Sequence, residues 1–370
     1  MELIALAAAA AACLAALVLT PLVRAVALKI GFMDQPGERK IHTSPVAYGG
    51  GIAVALALVA GVAASVPLAQ ATLTLSSDPE DLRGTTLLVV ALGALGALAL
   101  GLVDDKRRLS PWMKLAVQVV LAIGAVAGGA RITAFVGDYW FMRVATVLWI
   151  VLITNSLNLL DNMDGLCAGA TAISAGILGF LAMENGQWAL TLALAALAGA
   201  CLGFFRYNRS PARIFLGDAG SLFVGYLLAC STVLVTYYRR GQPSHLAIGI
   251  PFLILAIPLY DTFSVMLIRI REHRPIMRGD TSHFSHRLVD LGMNRRQAVM
   301  TIHLACLAIG LPATTLRWLP ETHGFLIIGQ ALLVLTIVAL LEHAGRTRAE
   351  SHGQDARAAN EHHSPQELRK

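Results

Sequence analysis

Charged side chains are scarce in this sequence. Lys, Arg, Asp and Glu together make up 14% of its 370 residues, against 56% hydrophobic. That balance excludes an ordinary soluble domain, in which about a quarter of residues carry charge. Cysteine is sparse as well. Cys13, Cys167, Cys201, Cys230 and Cys306 form no CxxC pair and fall in or beside apolar runs. This argues against a disulfide framework or a zinc site and leaves small core packing as their role. No polar stretch is long enough to make a soluble domain, and there is no clear internal repeat. The first apolar run lacks the basic start and the small-x-small cleavage site of a signal peptide, so it reads as a retained helix.

What the chain does have is long apolar runs. A helix needs about 20 such residues to cross a bilayer, and lipid-exposed backbone must satisfy its own hydrogen bonds. The runs predict an all-α polytopic membrane protein of about eleven transmembrane helices, over 2–23, 49–70, 85–103, 112–130, 143–160, 166–182, 187–205, 220–238, 246–269, 297–316 and 322–342. Residues 1–342 then form an integral membrane catalytic domain. The polar, charged stretch 343–370 is expected to be a disordered tail.

Basic residues set the expected orientation. Loops after odd-numbered spans, with the tail, carry 22 Lys and Arg; loops after even-numbered spans carry 6. By the positive-inside rule the odd loops and the C-terminus are cytoplasmic and the N-terminus is outside. Five polar motifs then share the cytoplasmic face: "GFMDQPGERKIHTSPVAYGGG" (31–51), "GLVDDKRRLSPWMK" (101–114), "NSLNLLDNMDGL" (155–166), "ARIFLGDAGSL" (212–222) and "HRPIMRGDTSHFSHRL" (273–288). A carboxylate at a bilayer centre costs about 2.5–3.5 kcal/mol on insertion scales. One-sided clustering of acids, amides and bases therefore points to a single composite site at the membrane surface.

Each motif has a plain reading and a chemical one. Asp104–Asp105 is either a solvated helix end with counter-charges or a general base beside a metal site, where two adjacent carboxylates perturb each other's pKa. Asn155, Asn158, Asp161 and Asp164 recur every third residue, which would place them along one helix face. They form either a hydrated helix end or a set of hard oxygen donors suited to Mg²⁺, which needs only one or two protein ligands. Asp218, between glycines, is either a helix cap or a metal ligand beside backbone open to a phosphate. His283, His286 and Arg287 lie in the most basic loop. They make either a lipid-headgroup patch or a clamp for a sugar nucleotide. Lys40 poses the same choice on the first loop.

In this order the stretches "DQPGERKIHTSPVAYGGG", "VDD", "NSLNLLDNMDG", "FLGDAGSL", "PLYDT" and "DTSHFSHRL" resemble the polyprenyl-phosphate N-acetylhexosamine-1-phosphate transferase family over nearly the whole chain. The resemblance implies ten or eleven helices in the cell (inner) membrane and a cytoplasmic, Mg²⁺-dependent site, with Mn²⁺ as a substitute. It implies transfer of a sugar 1-phosphate from a UDP-N-acetylhexosamine to undecaprenyl phosphate, releasing UMP and starting a cell-envelope polysaccharide. It assigns Asp104, Asp105 and Asp161 to catalysis and Asn158 and Asp218 to the metal. Lys40, Asn155, Asp164, His283, His286 and Arg287 fall to substrate binding. A homodimer is compatible with it, and no nucleic-acid partner is expected.

Two positions depart from the family pattern: Asn162, where glycine is common, and Ser285, where a second histidine is common. "HFSH" resembles the "HLHH" of the N-acetylglucosamine branch more than the triple histidine of the phospho-MurNAc-pentapeptide branch. UDP-GlcNAc is therefore the expected donor, with UDP-MurNAc-pentapeptide the alternative. A transporter would hold its acids at the midplane of broken, repeated helices. An intramembrane aspartyl protease would need Asp218 and Asp261 to face each other. A CDP-alcohol phosphotransferase would need an arginine that "DGLCAG" lacks.

Overall fold

The computed structural model of the chain describes residues 1–34, 45–73, 84–132, 140–238, 244–275 and 282–363, and the side chains among them except 70–73 and 343–363. It is helical almost throughout. The elements are α1 (Glu2–Lys29), β1 (Met33–Asp34), β2 (Val46–Ala47), α2 (Gly50–Leu73), α3 (Gly84–Arg107), α4 (Pro111–Ala127) and α5 (Trp140–Leu160). They continue as α6 (Leu166–Glu184), α7 (Trp188–Asn208), α8 (Gly217–Leu234), α9 (Ile250–Ile254), α10 (Ala256–Arg271), α11 (Phe284–Asp290), α12 (Arg295–Ala313) and α13 (Glu321–His363). Short 3₁₀ turns, His245–Gly249 and Thr314–Arg317, precede α9 and follow α12.

Among the described residues, nine helices are long and apolar enough to cross a membrane. The span expected over 246–269 is not one straight helix. The 3₁₀ turn with α9 and the helix α10 meet at an angle of 67° around Leu255. Pro258 has no N–H to offer the carbonyl of Ile254, so the helical ladder breaks one residue further on. Counted as one span, this bent pair is a tenth. The span expected over 112–130 is α4, of only 17 residues, capped by Ser110, whose hydroxyl accepts the Met113 N–H at 3.2 Å. α13 continues as helix to His363, through most of the segment expected as a disordered tail.

α6 and α8 form the centre of the bundle, with most of α6 and nearly all of α8 buried. α1 is peripheral, and its two faces differ in kind. Ala5, Ala8, Ala12, Ala16 and Thr20 are buried, whereas Leu3, Leu6, Leu14, Val18 and Leu22 are 57–80% exposed. Among lipid-facing helices, close van der Waals packing of small residues replaces the hydrophobic effect. Backbone contact follows: a Cβ on Gly199 or Gly203 of α7 would meet the carbonyls of Ala9 and Cys13 at 2.0 and 2.4 Å.

Among the described residues the chain forms one small sheet. β1 and β2 pair antiparallel, Met33 opposite Ala47. Ala47 also bridges to Ile214, its carbonyl accepting the Phe215 N–H at 2.9 Å. The chain leaving α1 is thereby fastened to the chain entering α8.

Candidate active site

Successive antiparallel helices bring the C-terminal ends of α3, α5 and α7 and the N-terminal ends of α4, α8 and α12 to one end of the bundle. There they line a cavity of about 800 Å³. Asp104, Asp105, Asp161, Asp164 and Asp218 all line it. Five acids from three separate motifs thus meet in one place.

The N-terminus of α8 organises this cavity. Gly217 adopts φ +73°, a conformation that side chains other than glycine's rarely tolerate, and a Cβ there would meet Asp105 Oδ2 at 2.7 Å. The free N–H groups of the first turn need acceptors. Asp105 takes two of them, from Asp218 at 2.9 Å and from Ala219 at 3.1 Å. Asp161 accepts a further backbone hydrogen bond from Gly217. Two carboxylates therefore sit at the positive end of the α8 dipole. The backbone expected to be open to a phosphate is already engaged by acids.

Asp104 and Asp105 are not a facing pair. Asp104 is buried and turned away, accepting the Leu109 N–H at 2.6 Å and the Lys114 ammonium at 2.7 Å. Lys114 also reaches Asp218 Oδ2 at 3.0 Å, so one cation bridges two acids from different helices. Asp218 Oδ1 accepts the Asn158 amide at 2.8 Å, and that amide also donates to Ser221 at 2.9 Å.

The four-residue ladder is split. α5 ends at Leu160, so only Asn155 and Asn158 lie on the helix; Asp161 and Asp164 occupy the turn that follows. Asn155 lies outside the cavity lining and exchanges hydrogen bonds with buried Gln118 of α4. Asp164 accepts the Ala212 N–H at 3.0 Å, and Asn208 takes the Gly165 N–H at 3.0 Å. The turn is thereby pinned to the chain entering α8.

The charges that act on Asp161 are those of other acids. Burial raises the Asp161 carboxyl well above its ordinary range, and the charges of Asp218, Asp105 and Asp164 push the same way; the Gly217 hydrogen bond opposes them. The Tyr48 hydroxyl is likewise pushed up, first by burial and then by Asp34 and Asp105.

His283 and Arg287 do not line the cavity. They belong to a second buried cluster that joins α10, α11 and α13. Asp261 holds His283 Nδ1 at 2.9 Å and the Phe284 N–H at 2.6 Å. Arg287 pairs with Glu342 at 3.1 Å and donates to Ser264 at 2.7 Å; Tyr260 donates to the same Glu342 at 3.0 Å. One direct link runs to the acidic turn, where Ser285 donates to the Asn162 side chain. His286 is half-buried, and burial lowers its pKa, with the neighbouring His283 adding to the effect. Asp218 and Asp261 stand in different clusters, so the facing acids of an aspartyl protease are not formed. Lys40 lies outside the described residues.

Sequence reasoning passed over Lys114, Gln118, Tyr48, Glu342 and Arg295. The signal for Lys114 was present: a lone ammonium inside an apolar span demands an acidic partner. Glu342 carried the same signal at the end of the last span.

Among the described residues, no three His, Cys, Asp or Glu side chains are grouped to hold a metal ion. The donor chemistry nonetheless suits a hard cation. Asp218 offers carboxylate oxygens, rotation of the Asn158 amide would present its carbonyl, and Lys114 already bridges two of the acids. Mg²⁺ takes one or two carboxylates and fills its remaining positions with water and phosphate oxygens.

Comparison with known proteins bears directly on this site. The glycosyl transferase family 4 model matches residues 87–236, from α3 to just past α8. A Bacillus subtilis protein named "Probable undecaprenyl-phosphate N-acetylglucosaminyl 1-phosphate transferase" is 34% identical over 335 residues, 88% of each chain. A Mycolicibacterium smegmatis decaprenyl-phosphate N-acetylglucosaminephosphotransferase is 31% identical, over 86% of this chain and 84% of its own. The undecaprenyl-phosphate alpha-N-acetylglucosaminyl 1-phosphate transferase of Yersinia pestis is 26% identical, over 80% and 81%. With relatives matched across nearly their full length and apolar helices throughout, this chain is a multi-pass membrane protein that belongs to glycosyl transferase family 4.

Proposed function

We propose that this protein transfers N-acetylglucosamine 1-phosphate from UDP-GlcNAc to undecaprenyl phosphate, releasing UMP. The observation that carries this reading is the convergence of five acids and Lys114 in one cavity, in a chain whose relatives, matched over 84–88% of their length, are named as undecaprenyl- or decaprenyl-phosphate transferases of N-acetylglucosamine phosphate. An oxygen of the lipid phosphate forms a bond to the β-phosphorus of the donor. The bond from that phosphorus to the bridging oxygen breaks, and the electron pair leaves with UMP. Between two anions this is chiefly a problem of positioning and charge.

The residues divide that work. Asp105 and Asp161 fasten the start of α8 and so hold Asp218 in place. Asp161, whose carboxyl is pushed up by burial and by the neighbouring acids, is assigned to hold or pass a proton beside the phosphates. Asp104 orients Lys114, whose ammonium is the fixed positive charge near the donor. We assign Mg²⁺, or Mn²⁺ in its place, to Asp218 and Asn158. When bound, the ion neutralises pyrophosphate charge and stabilises the UMP leaving group. His283, His286 and Arg287, with Lys40, are assigned to the sugar nucleotide. Asp261 and Glu342 would set the posture of His283 and Arg287.

We further assign the bent pair and α4 as full spans, giving eleven, with the N-terminus outside and the cavity facing the cytoplasm from the inner membrane. Residues 1–342 are the catalytic unit and 343–370 a cytoplasmic tail.

The test is UMP release by purified protein given undecaprenyl phosphate and each UDP-sugar in turn, with and without EDTA. Turnover with UDP-GlcNAc that stops in EDTA and returns with Mg²⁺ is expected. Preference for UDP-MurNAc-pentapeptide would overturn the donor, activity in chelator would overturn the metal, and silence with every donor would overturn the reaction.

A further inference from the structure

A second cavity, of about 630 Å³, lies beside the first and shares Asp164, Ser210 and Pro211 with it. Its walls differ in character from those of the acidic site. Arg206, at the end of α7, Arg209 and Arg213, in the chain that follows, and Arg296, in the first turn of α12, line its mouth. All four are exposed. Among the described residues none forms an ion pair; Arg296 donates to the Ser210 carbonyl at 2.9 Å. The one carboxylate in the lining, Asp164, is occupied by the Ala212 N–H.

The apolar part of the lining continues from the basic part in register. Met300 and Leu304 follow Arg296 at i+4 and i+8, on the same face of α12, and are 63% and 60% exposed. At 1.5 Å per residue they sit about 6 and 12 Å deeper along the helix than Arg296. The arginines mark the ends of two membrane-crossing helices, Trp188–Asn208 and Arg295–Arg317. Guanidinium groups at the helix ends above an apolar wall one and two turns down match an amphiphile with an anionic head and a hydrocarbon tail. Basic pockets between membrane helices bind anionic lipid head groups on this principle, and guanidinium grips phosphate bidentately.

We propose that this cleft between α7 and α12 holds an anionic phospholipid of the surrounding bilayer, its phosphate on Arg206, Arg209, Arg213 and Arg296 and an acyl chain along Met300 and Leu304. The occupant is a bilayer lipid and not the acceptor substrate. The reacting acids line the neighbouring cavity, and a phosphate gripped by four arginines is held away from them. The inference does not depend on the reaction proposed above. A lipid seated there would brace the 209–213 segment that forms the wall shared by the two cavities.

Native mass spectrometry of the full chain, released from nanodiscs containing cardiolipin, phosphatidylglycerol and phosphatidylcholine, tests this. The expected result is retention of cardiolipin or phosphatidylglycerol over phosphatidylcholine. The triple variant Arg206→Ala, Arg209→Ala, Arg213→Ala should lower that retention roughly tenfold or more, since each basic residue near an anionic lipid adds to the attraction. A control variant, Lys106→Ala with Arg107→Ala, removes two exposed charges outside the cleft and should leave retention unchanged. Thermal unfolding in lipid-free detergent checks that both variants are folded. If the triple variant does not fold, Leu304→Glu replaces it and should cause the same loss. Equal loss in the control would mean diffuse charge attraction and would overturn the site. No preference for anionic lipid in the wild type would do the same. Displacement of the bound lipid by one equivalent of undecaprenyl phosphate would make the acceptor the occupant and overturn the choice of ligand.

Discussion

Asp218 is held by Lys114 on one oxygen and Asn158 on the other. Asp218→Asn removes the charge while keeping the shape. Turnover should fall by about 10²-fold, the scale of losing one preorganised electrostatic contact, with thermal unfolding close to wild type. A near-wild-type rate would take Asp218 out of the charge-bearing set. Asp161 makes a different forecast, read in stability. Its folded pKa lies well above the unfolded carboxylate value, so between the two values the folded state binds more protons than the unfolded one. Stability must then be greatest below the ordinary carboxylate range and fall as pH rises from that range towards the raised pKa. Asp161→Asn carries no titrating group and should flatten that fall. The melting temperatures of wild type and variant should converge at low pH and separate, in favour of the variant, as pH rises. Parallel curves would mean that Asp161 ionises as freely in the folded chain as in the unfolded one.

Among the helices, α8 is the element on which the site depends, and two glycines bring its neighbours against it. A Cβ on Gly101 of α3 would meet the Ala219 backbone at 2.3 Å, and one on Gly51 of α2 would meet Gly220 N at 2.4 Å. These contacts are backbone to backbone, with no flexible side chain to move aside. Gly101→Val should therefore cost about 1–3 kcal/mol or more by overpacking, seen as a lower melting temperature in detergent. It should cost activity as well, because Asp105 reaches the start of α8 from the same helix. Gly124 of α4 has open space where its Cβ would stand, and Gly124→Ala should be neutral or stabilising. Equal effects of the two changes would count against close α3–α8 packing as the support of the site. The break at Leu255 belongs here too. Pro251 and Pro258 were visible in the expected ninth span. A hydropathy window averages over prolines, so it returned one continuous helix where the backbone cannot form one.

For the molecule as a whole, topology and chemistry are tied together by parity. Each added or missing span moves every later loop to the other side. A reporter fused after Lys370 should be cytoplasmic, and a cysteine replacing Ser76 should be labelled by an impermeant reagent from outside. An external C-terminus would mean an even number of crossings and would place α4 or the bent α9–α10 pair short of a full span. α4, at 17 residues, is the helix to examine first.

The order of apolar runs was enough to establish a polytopic helical protein. Lipid offers no partner to an unpaired peptide group, so a long greasy segment has few structures open to it. Strict alternation of short loops was enough to bring Asp104, Asp105, Asp161, Asp164 and Asp218 to one end of the bundle. The family resemblance was carried by the same linear motifs. Periodicity could not say which acid meets which partner. Asp104 and Asp105 are adjacent in the chain, yet one faces the Lys114 ammonium and the other the first turn of α8. The regular spacing of Asn155, Asn158, Asp161 and Asp164 suggested one helix face, but α5 stops at Leu160, where Asp164 and Gly165 are tied to the chain beyond α7. Likewise the pairing of Arg287 with Glu342 joins residues 55 apart in sequence. Such contacts are decided by helix packing, because the orientation of a side chain at a helix end depends on neighbours that are distant along the chain and adjacent only in the folded bundle.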